Sequence, residues 1–289
     1  MKRFPDVPSV RTTEHKVTAT DGSEIILQEF RDGDRATGKA TGASCDGSAT
    51  DALNSGGMIL GSVEQWAPSL KIGVQQSGVP YFAIEYRLAP EHPHPTPVND
   101  CYAGLKYLSS HAAELGVDPA RIVVAGDSAG GGLAAGTVLK ARDEGLSPEV
   151  AAQQLIYPML DDRNMTPIPE IEPFASWACN DNITGWTALL GKKAAGSKEE
   201  SAVAGHLYAA PARAKDLRGL PSTYIDVGQL DIFASENIAY ASRLVEAGVP
   251  TEFHLYPGVP HAFEAFGSGT KIVQAALARR TRWLADQLS

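Results

Sequence analysis

A serine flanked by glycines, standing where a β-branched apolar run turns into a helical pattern, constrains this 289-residue chain more than any other feature. Residues 121–133 read Arg-Ile-Val-Val-Ala-Gly-Asp-Ser-Ala-Gly-Gly-Gly-Leu, so a strand ends in Gly126-Asp127-Ser128-Ala129-Gly130 and a helix begins. Such an elbow brings neighbouring backbone too close for a Cβ, and it holds the serine at a strained φ/ψ with its Oγ exposed. Taken alone, the five residues fit an ordinary glycine turn or a phosphate-binding loop equally well, and their meaning depends on what surrounds them.

What surrounds them is an alternation. Strand-like runs at 79–86, 121–125, 154–157, 222–227 and 251–256 are separated by longer helical patterns, the signature of stacked βαβ units around a mainly parallel sheet. Apolar stripes at Val98, Tyr102, Leu105 and Leu108, at Ile238, Ala241 and Val245, and at Ile272, Ala276, Leu277, Leu284 and Leu288 predict three core-facing helices. Near the N-terminus, runs at 15–20 and 25–30 flank Asp21-Gly22-Ser23 and predict a hairpin, hence an antiparallel edge on the sheet. Two segments interrupt this order. Residues 159–205, with Pro167, Pro169, Pro173, Trp177 and Trp186, are too long for a simple connection and read as a cap or lid on a core made of 1–158 and 206–289. Residues 33–57 hold a single large aliphatic side chain, Leu53, and no strand can be read in them.

A serine hydroxyl needs an imidazole to take its proton, and the imidazole needs a carboxylate to fix its tautomer. His261 is the best candidate, in a loop between the last strand and the last helix. His254 and His206 read as structural, and His15, His92, His94 and His111 precede the serine, the wrong order for this arrangement. For the acid, Asp226 sits inside its strand and Asp231 just past the strand's carboxyl end, where groups of an open α/β sheet meet. Glu236 reads as support for the next helix's N-terminus.

The 25 basic and 34 acidic residues exclude a basic nucleic-acid surface and leave a small neutral or weakly polar substrate as the better fit. No run approaches the roughly 20 apolar residues of a membrane helix, and no leader pattern opens the chain, so a cytoplasmic protein without a membrane partner is expected. Cys45, Cys101 and Cys179 are widely spaced and form no metal-binding group, so they read as free thiols and no metal is expected. No Walker-type or dinucleotide-binding glycine pattern is present, which disfavours a nucleotide site.

Gly126-Asp127-Ser128-Ala129-Gly130-Gly131, Tyr86-Arg87-Leu88-Ala89-Pro90-Glu91-His92-Pro93, the Leu230-Asp231 loop and His261-Ala262-Phe263 together resemble the bacterial hormone-sensitive-lipase-like esterases. The resemblance covers roughly residues 54 to 289. It implies an α/β-hydrolase fold, a mainly parallel central sheet flanked by helices with a small, partly truncated cap, and cofactor-free carboxylic-ester hydrolysis by Ser128, His261 and Asp231. Arg87 and Glu91 read as structural partners holding a turn. The family's His-Gly-Gly-Gly loop corresponds here to Asn54-Ser55-Gly56-Gly57. Gly56, Gly57 and Ala129 retain the three backbone N–H donors of an oxyanion hole, although loosening one donor costs about 10²-fold or more in rate. Three accounts of 33–57 stand open: divergence, a locally altered reading frame, or a strand of weak residues that its neighbours force to pair. The short N-terminal part implies a cap without its usual helices and a more open acyl pocket, with Met58, Trp177, Trp186 and Phe263 as candidate lining residues.

The expected reaction is hydrolysis of short-chain esters of small molecules through an acyl-enzyme. The alternatives are amide, formamide or lactone hydrolysis by the same groups, or a catalytically impaired ligand-binding relative with an altered oxyanion loop. The resemblance also offers the edge strand 251–256 as a homodimer surface.

Overall fold

Among the described residues, eight strands build one sheet in the order β1-β2-β4-β3-β5-β6-β7-β8. The structure, a computed structural model, describes residues 7–33, 41–44, 56–199 and 202–288, so Cys45, Leu53, Asn54 and Ser55 lie outside the described residues. β1 (Val10–Thr18) and β2 (Glu24–Asp32) form the hairpin expected around Asp21-Gly22-Ser23, and β2 continues antiparallel onto β4 (Tyr81–Glu85). From β4 onward the ladder is parallel, through β3 (Thr41–Ser44), β5 (Ile122–Asp127), β6 (Ala152–Ile156), β7 (Ser222–Leu230) and β8 (Thr251–Pro260).

β3 corrects the expectation that 33–57 holds no strand. Thr41–Ser44 pairs in parallel with β4 on one side and β5 on the other. Between two ready ladders the backbone N–H and C=O groups are satisfied whatever the side chains, so tertiary context overrides the weak strand propensity of Thr-Gly-Ala-Ser.

Helices cover both faces. α2 (Thr96–Ser110), α3 (Ala129–Asp143) and α6 (Ala234–Glu246) join Ile122, Val124, Leu155 and Ile225 in the largest apolar cluster. The alternate strand residues Val123, Ala152, Ile156 and Tyr224 face the other way, under α8 (Lys271–Gln287), while α1 (Val63–Ser77) covers Phe30 and Ala83. This in-and-out alternation is what a sheet covered on both faces requires. In α2 the buried stripe is the expected one, Val98, Tyr102, Leu105 and Leu108. In α6 it is shifted: Ile238 and Val245 are exposed, and Asn237, Tyr240, Ala241 and Leu244 face the core. Asn237 is admitted because its side-chain amide donates to the Pro158 carbonyl at 2.7 Å. In α8 Leu277 is likewise largely exposed, and Val273 and Trp283 are buried.

Segment 159–205 carries α4 (Cys179–Leu190), whose Trp186 and Leu189 enter the main cluster; α5 (His206–Ala209) follows it. Arg87 braces the hairpin side of the sheet, but with partners other than the expected Glu91, which is exposed. Its guanidinium grips Asp100 at 2.9 and 2.7 Å and reaches Asp21 at 2.8 Å, tying the hairpin turn to α2. Cys101 and Cys179 are buried. Among the described residues, no helix is long and apolar enough to cross a membrane.

Candidate active site

β5 runs into α3 through Ser128 alone, and that residue sits at φ 55°, ψ −119°. A non-glycine residue at this φ is costly and persists only where the surroundings over-determine it. Here they do: the Ser128 N–H donates to the Ile156 carbonyl at 2.9 Å, and its carbonyl accepts from Gly132 and Met159 at 3.1 and 2.9 Å. A Cβ on Gly126 would collide with the Gly130 carbonyl and lie 2.8 Å from the Gly131 nitrogen, which is the steric reason for a glycine there.

β7 and β8 deliver the partners. Past a register shift at Gly228/Leu230, Asp231 follows the last residue of β7, and His261 follows the last residue of β8. Ser128 Oγ lies 2.9 Å from His261 Nε2, and His261 Nδ1 lies 2.7 Å from Asp231 Oδ2. The second Asp231 oxygen accepts from the Phe233 N–H at 2.9 Å, which aims the carboxylate. Ser128 keeps 6% of its surface exposed, against 1% for His261 and none for Asp231. A hydroxyl at the surface of a chain of buried hydrogen bonds, ending in a carboxylate, can transfer its proton to the imidazole while the carboxylate stabilises the resulting cation. Asp226, by contrast, points to the far face and pairs with Arg280 at 2.7 and 2.9 Å. Glu236 does not serve its own helix: it accepts from the Leu160 and Asp161 N–H groups at 2.7 and 3.2 Å and from Asn164 at 2.8 Å, clasping the turn after β6. Burial pushes its carboxyl well above the usual range.

Gly56 and Gly57 lie in a turn closed by bonds from Ile59 and Leu60 to the Gly56 carbonyl, at 2.7 and 2.8 Å. Gly57 and Met58 both take positive φ, 47° and 64°. Ala129 opens α3, where a backbone N–H has no partner within the helix. The indole of Trp177 lies over Gly57, so close that a Cβ there would stand 2.5 Å from its Cζ2. All four candidate pocket residues are core side chains: Met58, Trp177 and Trp186 belong to the main cluster, and Phe263 packs against Tyr157 and Tyr256 on the other face of the sheet.

Three further contacts hold His261 in place. Tyr157 and Phe233 meet the imidazole edge-on, with ring centroids at 4.6 and 5.3 Å, and Ser176 Oγ donates to its carbonyl at 2.8 Å. Tyr157 and Phe233 follow strand ends, the position that marked Asp231 and His261, so the same signal pointed to them. Nothing in the sequence around Ser176 does. Among the described residues no group of three or more His, Cys, Asp or Glu could hold a metal ion.

A family profile described as the α/β hydrolase fold matches residues 53–265. The chain belongs to the α/β-hydrolase family. Carboxylesterase NlhH of Mycobacterium tuberculosis is 32% identical over 246 residues, covering 77% of this chain and 72% of that protein. An arylesterase of Saccharolobus solfataricus is 32% identical over 216 residues, 73% of this chain and 66% of its own length. Among solved structures, a bacterial heroin esterase superposes with a TM-score of 0.88 at 37% identity over 99% of this chain and 86% of that one. These relatives agree with the resemblance to hormone-sensitive-lipase-like esterases and make this α/β hydrolase an enzyme of the hydrolase class.

Proposed function

We propose that the protein is a serine carboxylesterase acting on short-chain esters of small molecules. The observation that carries the reading is the unbroken chain from Ser128 Oγ through both ring nitrogens of His261 to Asp231. Ser128 attacks the ester carbonyl as His261 takes its proton, and Asp231 stabilises the imidazolium. The N–H groups of Gly56, Gly57 and Ala129 receive the developing oxyanion. His261 then protonates the leaving alcohol, and water attacks the acyl-enzyme by the same route, releasing the acid and restoring the serine. No cofactor enters any of these steps. Residues 159–205 act as the cap, with Trp177 setting the wall beside the oxyanion turn. Amides, formamides and lactones place their carbonyls in the same geometry, but the relatives bear the names of ester hydrolases, which favours esters. β8 ends the sheet and carries the exposed Leu255, which supports it as a homodimer edge.

The test is steady-state hydrolysis of p-nitrophenyl acyl esters by the wild type and by Ser128→Ala, with intact mass measured after exposure to an organophosphate. Turnover confined to the wild type, with one phosphoryl adduct lost in the variant, is expected. Equal turnover by the two proteins overturns the assignment.

A further inference from the structure

Tyr157, the residue that follows β6, takes a backbone φ of 35°. For a bulky side chain this conformation is strained, and residues that keep it cluster where function uses the rigidity that enforces it. A closed circuit of hydrogen bonds enforces it here. The Tyr157 N–H donates to the Asp226 carbonyl at 2.6 Å, and the Tyr157 hydroxyl donates to Glu264 Oε1 at 2.8 Å. Arg280 donates to the same Glu264 oxygen at 2.6 Å and returns to the Asp226 carboxylate at 2.7 and 2.9 Å, with its guanidinium carbon 5.5 Å from the centre of the Tyr157 ring. The circuit joins the end of β6 to β7, to α7 (Phe263–Gly267) and to α8, and it grips Tyr157 at both backbone and hydroxyl.

Between those two anchors the Tyr157 ring meets the His261 imidazole, 4.6 Å between centroids and 67° between planes. The hydrogen bonds to Ser128 and Asp231 fix the line through the two ring nitrogens, but hydrogen-bond geometry is broad enough to let the ring tilt about that line. The tilt is set by what packs against the ring. Phe233 stands on it at 5.3 Å, and Tyr157 is the nearer of the two and the one tied down at its far end. Glu264 follows His261 by three residues, so the carboxylate that anchors the tyrosine also ties the histidine loop to α8. A buried ion cluster is weak ground for stability, because desolvation offsets its attraction; what this one fixes is a single place for one aromatic ring. We propose that Tyr157 is a positioning residue that holds the His261 imidazole in register with Ser128 Oγ, and that Glu264 and Arg280 act through it. The proposal rests on the reading of Ser128, His261 and Asp231 as the reacting groups.

Tyr157→Phe keeps the ring and removes its far anchor. For a p-nitrophenyl ester, kcat should fall about fivefold with KM unchanged, and the ring-nitrogen resonances of His261, followed by nitrogen-15 NMR in the protein without substrate, should shift or broaden. Glu264→Ala should match Tyr157→Phe, and the double variant should be no slower than the slower single, because both changes break the same tie. Glu264→Gln retains an accepting oxygen for the hydroxyl and should keep most of the wild-type kcat. A tyrosine that only fills the interior would lower the melting temperature in Tyr157→Phe while kcat per folded molecule and the His261 resonances stay at wild-type values. That result overturns the proposal, as do losses that multiply in the double variant. Should Glu264→Ala fail to fold, Tyr157→Phe and the resonances decide. The resonances require no turnover, so they test the positioning of His261 separately from the esterase reading, which fails if Ser128→Ala is as fast as the wild type.

Discussion

Ser176 Oγ donates a 2.8 Å hydrogen bond to the backbone carbonyl of His261, so segment 159–205 holds the histidine loop in place. Ser176→Ala leaves every group of the proposed triad present but frees that loop. A neutral hydrogen bond of this kind contributes about 1 kcal/mol, so kcat should fall about fivefold with KM little changed. Ser176→Thr should restore most of the loss. A fall in KM-dependent terms alone would assign Ser176 to substrate binding.

Gly57 and Trp177 form a steric pair. Gly57→Ala places a methyl group inside the indole and adds the strain of φ 47°, so the turn proposed to bind the oxyanion must move. Loss of about 10²-fold in kcat is expected, with the far-ultraviolet circular dichroism unchanged. Shrinking the obstacle in Gly57→Ala/Trp177→Ala should recover part of that activity. If the double variant is no faster than Gly57→Ala, the indole is not what forbids the side chain.

Asp162 is fully buried and links His206, at 3.3 Å, to the Arg213 guanidinium, whose second contact is 2.8 Å. Burial would raise its carboxyl, but the hydrogen bonds from His206 and Arg213 outweigh it and hold it down to about 2, against an ordinary 3.8. The folded state therefore binds this proton less tightly than the unfolded chain does. The stabilisation is complete above pH 3.8 and is lost as pH falls towards 2, a loss of about 2 kcal/mol. Chemical denaturation across that window should show a flatter acid slope in Asp162→Asn than in the wild type. Identical slopes would remove Asp162 from the acid response.

Arg280 pairs with both Asp226 and Glu264, and burial pushes the Asp226 carboxyl up despite the pairing. Arg280→Met strands two carboxyl groups in the interior, at a cost of about 3 to 5 kcal/mol. The melting temperature should drop on the order of 10 °C. Adding Asp226→Asn to that variant should recover part of the drop, and no recovery would show that the loss is one of packing alone.

Much of the site was legible before any tertiary structure because its constraints are local or ordinal. The glycine requirement at 126 follows from the sterics of one elbow. The positions of Asp231 and His261 follow from where strands end in an α/β sheet. In α6, by contrast, Ala241 faces the core as its aliphatic pattern predicts, but Ile238 and Val245 do not. Asn237 is buried through a hydrogen bond to Pro158, a partner 79 positions away, and Ile238 is left outside. Glu236 stands in the first turn of α6, where an acidic residue suits the helix dipole, yet its partners lie at 160–164, which no local pattern reveals.

The chain's residue order was enough to establish the strand–elbow–helix unit, the parallel alternation and the Ser–Asp–His sequence, because each depends on backbone sterics or on hydrophobic period within a short window. Pairing of Thr41–Ser44, the indole over Gly57, the Ser176 tie to His261 and the Arg280 cluster were decided only by the assembled sheet. Each joins residues far apart in the chain, and its energy comes from burial and from polar groups that must find partners inside the fold, quantities that no local pattern carries.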